Sequence, residues 1–189
     1  MASAKADLVE RARAGDHTAF AILARAAFGR MYGAAKLILR DPYRAEDAVQ
    51  EALLLAWRHI AAIRAPDAWD VWLYRLTVRV CYRLAPSGGD RAVVALDLQP
   101  ERETPSGDFT KSVVERDRIS AALSRLPLEQ RAVIVLHFYL DLTLAQAAVV
   151  LDVPTGTAKS RLNRGLAALR VSLGEDPELV ASAMRERPT

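Results

Sequence analysis

Between Val153 and Gly174 the chain carries Lys159, Arg161, Arg164 and Arg170 and no carboxylate, and this stretch opens with the hydroxyls of Thr155, Thr157 and Ser160. Cations and hydroxyls gathered near the start of a helix suit phosphate and base-edge contacts, because the helix dipole favours anions there and groove-reading helices lead with that end. The plainer alternative is a solvated basic face on a bundle helix. A second group, Trp69, Trp72, Tyr74, Arg75, Arg79, Tyr82 and Arg83, interleaves aromatic rings with guanidinium groups. Rings stack on bases while arginines pair with phosphates, which fits a single nucleic-acid strand. Trp72, Leu73, Leu76 and Val80 at helical spacing equally fit a core, and at least one tryptophan suits packing better than stacking. In a third group, Glu46, Asp47, Gln50 and Glu51 fall three and four residues apart on one polar stripe, while Val49, Leu53, Ala56, Trp57 and Ile60 can point inward. Alone, such a stripe is solvated surface.

Covalent chemistry finds no support. The chain has no Ser/His/Asp arrangement and no phosphate-cradling loop, since Gly88-Gly89 sits in a proline-containing stretch rather than between a strand and a helix. His17, His59 and His137 are too scattered for metal-ligand spacing, and one cysteine, Cys81, permits no internal disulfide and reads as a small buried apolar residue. The expectation is therefore no catalytic residue, no metal, no cofactor and no enzyme activity.

The elements that must position these groups are helices. Apolar residues recur at three- and four-residue spacing, and alternating β-branched strands are nearly absent, so the fold class is all-α. Helices are expected at about 5–27 with a break at Gly15-Asp16, at 28–40 before Asp41-Pro42, at 44–62 and at 68–84. From Ala85 to Ser112 the periodicity dissolves among Pro86, Pro100, Pro105, Gly88, Gly89 and Gly107, apart from the patch Val93 to Leu96. Helical signals resume at 113–125, 128–140, 143–151 and 155–173, with a short last helix near 177–186. Thr143-Leu144-Ala145-Gln146 is a capping-box pattern, and the small residues Ala147 and Ala148 precede the short turn Asp152-Val153-Pro154. Ala158, Leu162, Leu166, Leu169 and Leu173 then form one buried stripe, and the whole fits a helix-turn-helix.

The expected organisation is a helical domain over 1–85, a flexible linker over 86–112, a helix-turn-helix domain over 113–173 and a short tail over 174–189. Charge follows these divisions: 13 basic against 9 acidic residues in the first domain, 4 against 6 in the linker (taken to residue 116), 7 against 4 in the second domain and 2 against 4 in the tail. Two basic blocks flanking an acidic connector fit modules that approach a polyanion. Fully extended, the connector would span on the order of 90 Å. With 189 residues, 51% of them apolar and 26% charged, the composition excludes collagen-like and wholly disordered classes. No apolar run is long enough to cross a bilayer and no signal-peptide core opens the chain, so a cytoplasmic protein is expected.

Leu126-Pro127, Gln130-Arg131, Leu142-Thr143-Leu144, Ala147-Ala148 and Gly156 to Leu162 together resemble region 4 of the bacterial sigma factors, in the extracytoplasmic-function group of the sigma-70 family. Arg44 to Glu51 followed by Ala56-Trp57-Arg58, with Trp69 to Arg75 and Gly15-Asp16, Ala19-Phe20 and Leu23, resemble region 2 of that family. The resemblance implies a sigma factor that directs promoter-specific transcription initiation. Its expected partners are core RNA polymerase, through the β′ coiled coil and the β flap, promoter DNA and an anti-sigma factor. It implies that Thr155, Thr157, Lys159, Ser160, Arg161 and Arg164 contact the −35 element, and that Trp69, Trp72, Tyr74, Arg75, Arg79 and Arg83 engage the −10 element. Glu46, Asp47, Gln50, Glu51 and Arg58 would bind polymerase. Arg79, Arg83 and Ala85-Pro86 depart from the usual family pattern. The alternative weighed against this is a conventional helix-turn-helix operator-binding regulator that acts without being a polymerase subunit.

Overall fold

A computed structural model describes residues 2–85 and 118–173 of the chain. Among the described residues there is no strand. In chain order the helices are α1 (Ala2–Arg13), α2 (His17–Leu39), α3 (Pro42–His59), α4 (Trp69–Leu84), α5 (118–124), α6 (Leu128–Ile134), α7 (Leu144–Leu151) and α8 (Thr155–Leu173). Short 3-10 turns at Ile60–Ala62 and Pro66–Ala68 join α3 to α4, and a π-helical segment, Val135–Tyr139, continues α6. The expected linker and the last expected helix lie outside the described residues.

Local chemistry sets most boundaries. Gly15 adopts φ +94°, a conformation that costs glycine nothing, and the Asp16 carboxylate then accepts from the backbone N–H of Thr18 and Ala19 at 2.9 and 3.0 Å, capping α2. Those bonds, the one from Ala19 foremost, together with Arg11 hold the Asp16 carboxyl below its ordinary range. Asp41 caps α3 in the same way, with Pro42 in the first turn where its missing N–H is harmless. One expected break is absent: α2 runs unbroken through residues 27 and 28. Gly29 there is an ordinary helical residue with open space where a Cβ would be. A single interior glycine costs only about 1 kcal/mol, which the packing of α2 outweighs.

Helices α1 to α4 pack around Val9, Ala19, Leu23, Met31, Ile38, Val49, Leu73 and Val80. The buried face of α3 is lined by Ala45, Ala48, Ala52 and Ala56, which lets its neighbours approach closely. In the second set α6 crosses α8 at Gly165, where a Cβ would lie 2.7 Å from the Ile134 Cδ1 atom. The expected stripe of α8 is therefore corrected: Ala158, Leu162 and Leu169 are buried, Leu166 and Leu173 only half-buried, and Gly165 occupies the seam.

The two sets share one contiguous core. Helix α2 rests on α6 and its π-helical continuation, and α4 rests on α7. Across this seam Arg131 Nε donates to the Ile38 carbonyl at 2.8 Å, Arg40 Nη1 to the Ser124 carbonyl at 2.5 Å and Arg30 Nη2 to the Leu140 carbonyl at 3.1 Å.

Candidate nucleic-acid interface

The helix-turn-helix is built from α7 and α8. His137 Nδ1 lies 2.8 Å from the Leu142 carbonyl, so that nitrogen carries the proton and pins the approach to α7. Thr143 accepts from the Gln146 N–H at 3.2 Å while the Gln146 side chain accepts from the Thr143 N–H at 2.9 Å, the reciprocal capping box expected from the sequence. Asp152 closes α7 in the left-handed conformation, φ 57°, and α8 begins immediately after Pro154. Left-handed backbone is tolerated by aspartate better than by most residues.

On α8, Thr155, Lys159 and Arg164 are exposed and Thr157, Ser160 and Arg161 half-buried. The Ser160 hydroxyl donates to the Thr157 carbonyl at 2.9 Å, which leaves its oxygen lone pairs to accept. None of Lys159, Arg161 and Arg164 is ion-paired among the described residues. An unneutralised cationic edge beside a rigid turn is what phosphate contact requires.

Helix α4 distributes its residues less evenly than expected. Trp69 is 1% exposed and Tyr74 4%. The Trp69 ring packs edge-on against Phe20 with centroids 6.1 Å apart and lies tilted against Trp72 at 5.9 Å. Trp69 and Tyr74, two of the residues expected at the −10 element, are thus both enclosed in this structure. Trp69 lies against Phe20 of α2, where burying an aromatic ring gains more than exposing it. Trp72 and Arg75 are half-buried at the edge of that cluster, while Arg79 and Arg83 are exposed.

The acidic stripe of α3 faces outward as expected: Glu46, Asp47, Gln50 and Arg58 are exposed and Glu51 half-buried. Gln50 Nε2 donates to Glu46 at 3.3 Å, and Glu51 pairs with Arg83. Inward, Val49, Ala56 and Ile60 are buried and Leu53 and Trp57 half-buried, Trp57 against His17 and Phe20.

Two residues carry more than the sequence disclosed. Arg131 is only 6% exposed, and its Nη1 donates to the carbonyls of Leu126 and Ser124 at 3.1 and 3.4 Å in addition to the bond to Ile38. Burial first, and the nearby Arg40 second, lower its pKa to about 10. Asp152 faces α4, with Oδ1 3.0 Å from Arg75 Nη2 and Oδ2 3.9 Å from Arg79 Nη2. In sequence Arg131 appeared only within a family motif and Asp152 only as a turn residue. Nothing local announces partners far away in the chain.

Comparison with known proteins agrees with this architecture. Residues 23–87 match the family model for sigma-70 region 2, and residues 116–169 match that for sigma-70 region 4. The chain is 35% identical over 170 residues to the ECF RNA polymerase sigma factor SigM of Mycobacterium tuberculosis, covering 89% of this chain and 84% of that protein. It is 38% identical over 140 residues to SigL of the same organism, covering 71% and 77%. A solved structure of CnrH in complex with the cytosolic domain of CnrY superposes with a TM-score of 0.67 at 22% identity, covering 92% of this chain and 99% of that one. The sigma factor RpoE from Bartonella quintana, in complex with the anti-sigma factor NepR, superposes with a TM-score of 0.59 at 22% identity, covering 82% and 94%. The chain belongs to the ECF sigma factors of the sigma-70 family, proteins that direct transcription initiation by RNA polymerase.

Proposed function

We propose that this chain binds core RNA polymerase, sets α8 on the −35 element and α4 on the −10 element, and performs no covalent chemistry. The observation that carries this is the joint placement of a capped helix-turn-helix bearing the unpaired cations Lys159 and Arg164 with the outward acidic stripe of α3. Thr155, Thr157, Lys159, Ser160, Arg161 and Arg164 are assigned to the −35 element, and Trp69, Trp72, Tyr74, Arg75, Arg79 and Arg83 to the −10 element. Glu46, Asp47, Gln50, Glu51 and Arg58 are assigned to polymerase, on the β′ coiled coil, and the second domain to the β flap. The domains are 1–85 and 113–173, joined through 86–112 and followed by the tail 174–189. A cytoplasmic location fits a polymerase subunit, and no described helix is long and apolar enough to cross a membrane. An anti-sigma factor is assigned as a partner by likeness to the RpoE and NepR complex.

Run-off transcription from genomic promoter fragments with purified core polymerase tests this. Specific transcripts that require the added chain are the expected result. Initiation that is indifferent to the chain, together with no stable assembly with core enzyme, would overturn it.

A further inference from the structure

Helix α3 carries two large apolar side chains that its own packing leaves outside. Tyr43 is 80% exposed and Leu54 58%. Scattered single apolar residues are ordinary on a protein surface. These two lie on one line. Tyr43, Asp47, Gln50 and Leu54 succeed one another at intervals of four, three and four residues, the spacing of a seam that one helix offers to another. At a rise of about 1.5 Å per residue, Tyr43 and Leu54 stand about 16 Å apart with the acidic stripe between them. Neither belongs to the motifs that carry the family resemblance, which take in Arg44 to Glu51 and Ala56 to Arg58.

The Tyr43 ring is presented from a fixed base. The Asp41 carboxylate accepts from the backbone N–H groups of Tyr43 and Arg44 at 2.9 and 3.1 Å, so the turn that carries the ring is ordered before any partner arrives. The ring itself makes no aromatic contact among the described residues. Between the two apolar residues Gln50 holds Glu46, Glu51 pairs with Arg83, and Asp47 makes no ion pair among the described residues. Charge and apolar surface do different things at an interface. Exposed charges raise the rate of encounter and contribute little once paired, whereas large apolar side chains enclosed by a partner set how long the complex lasts.

We propose that Tyr43 and Leu54 are the apolar anchors of the polymerase-binding face of α3, and that its acids steer the encounter rather than hold the complex. The inference rests on the assignment of this face to polymerase. The partner surface it requires is a helical segment with two apolar hollows about 16 Å apart and cations between them, to answer Glu46, Asp47 and Glu51. Charge selects that occupant over a second copy of this chain, because a two-fold pairing of the same face would set acids against acids.

The test uses the full chain over immobilised core RNA polymerase, with association and dissociation read by surface plasmon resonance at several salt concentrations. Both side chains are exposed, so helical circular dichroism should be unchanged in every variant. Tyr43→Ala and Leu54→Ala should each speed dissociation about tenfold and leave association within about twofold. Tyr43→Phe and Leu54→Met keep the apolar area and should dissociate like the wild-type chain. Asp47→Asn should slow association about threefold at low salt, with the difference gone at high salt and dissociation unaltered. Wild-type dissociation in the chain carrying both alanines, or equal acceleration by the alanine and the conservative variants, would overturn the anchoring. Dimerisation of the free chain that both alanines abolish, with polymerase dissociation unaltered, would give the anchors to a second copy and likewise overturn it. Replacing Asp47 and Glu51 together with lysine sets cation against cation and separates the two ideas. If that chain is not captured while the double alanine chain dissociates normally, the face binds polymerase without these anchors; if neither chain differs from wild type, the assignment of α3 to polymerase falls as well.

Discussion

Arg161 sits half-buried on α8 between the exposed Lys159 and Arg164, so the three cations of one helix should behave differently. A base-reading arginine costs about 1–3 kcal/mol when truncated and relaxes sequence preference at one position, whereas a phosphate contact weakens all sequences alike and lowers the salt slope by about one. Arg161→Ala is expected to do the first and Lys159→Ala the second, as read by promoter-fragment titrations at several salt concentrations. Cys81 makes a separate, thermodynamic prediction. Burial pushes its thiol from an ordinary value of 9.0 up to about 12, and burial likewise pushes Tyr82 from 10.0 up to about 12. The native state then keeps protons that the unfolded chain releases, so the stability linked to these groups is complete below pH 9 and falls as the pH rises toward 12. The unfolding free energy from urea titrations should decline across that window by on the order of a few kcal/mol in total, and Cys81→Ala should flatten the earlier part of the decline. A midpoint that is insensitive to pH in the wild-type chain would contradict the burial of Cys81. The isolated cysteine was readable as a packed residue because it lies on the apolar side of a helical pattern. The burial of Arg131 was not readable, since a lone arginine in a sequence normally belongs to the surface.

At the scale of elements, capping chemistry translated directly into structure. Thr143 with Gln146 caps as its spacing implies, and Asp16 and Asp41, read only as a break and a helix end, also cap, because a cap needs only neighbours in sequence. Thr143→Ala should therefore cost about 0.5–2 kcal/mol, and hydrogen exchange should show the loss concentrated in the first turn of α7. Uniform loosening of the whole chain would indicate that the threonine does something other than cap. The seams between elements were less legible. The seams are decided by Gly165 in α8 and Gly33 in α2, where only the crossing of α6 and the approach of Tyr139 show that a larger side chain would collide. The same limit applies to α4, whose pattern of aromatics and arginines fits a stacking surface and a core equally well. The packing of Phe20 and Trp72 around Trp69 decides for the core at that position.

For the whole molecule, the outward stripe of α3 is the surface proposed to meet polymerase, and it is joined to the face of α4 proposed to meet DNA by the pair between Glu51 and Arg83. Replacing Asp47 and Glu51 together with lysine should abolish capture of core polymerase in a pull-down while leaving the helical circular dichroism intact. Capture at wild-type level would move the docking surface elsewhere. The sequence by itself determined the all-α class, nearly every helix, the helix-turn-helix and the family, because each depends on periodicity, caps and short motifs that act within a few residues. Tertiary structure alone decided which rings are enclosed, that Arg131 threads the seam between the two helical sets, and that Asp152 confronts Arg75 and Arg79. Those outcomes depend on which distant surfaces meet, and a linear pattern of polar and apolar residues leaves that choice open until the helices are packed.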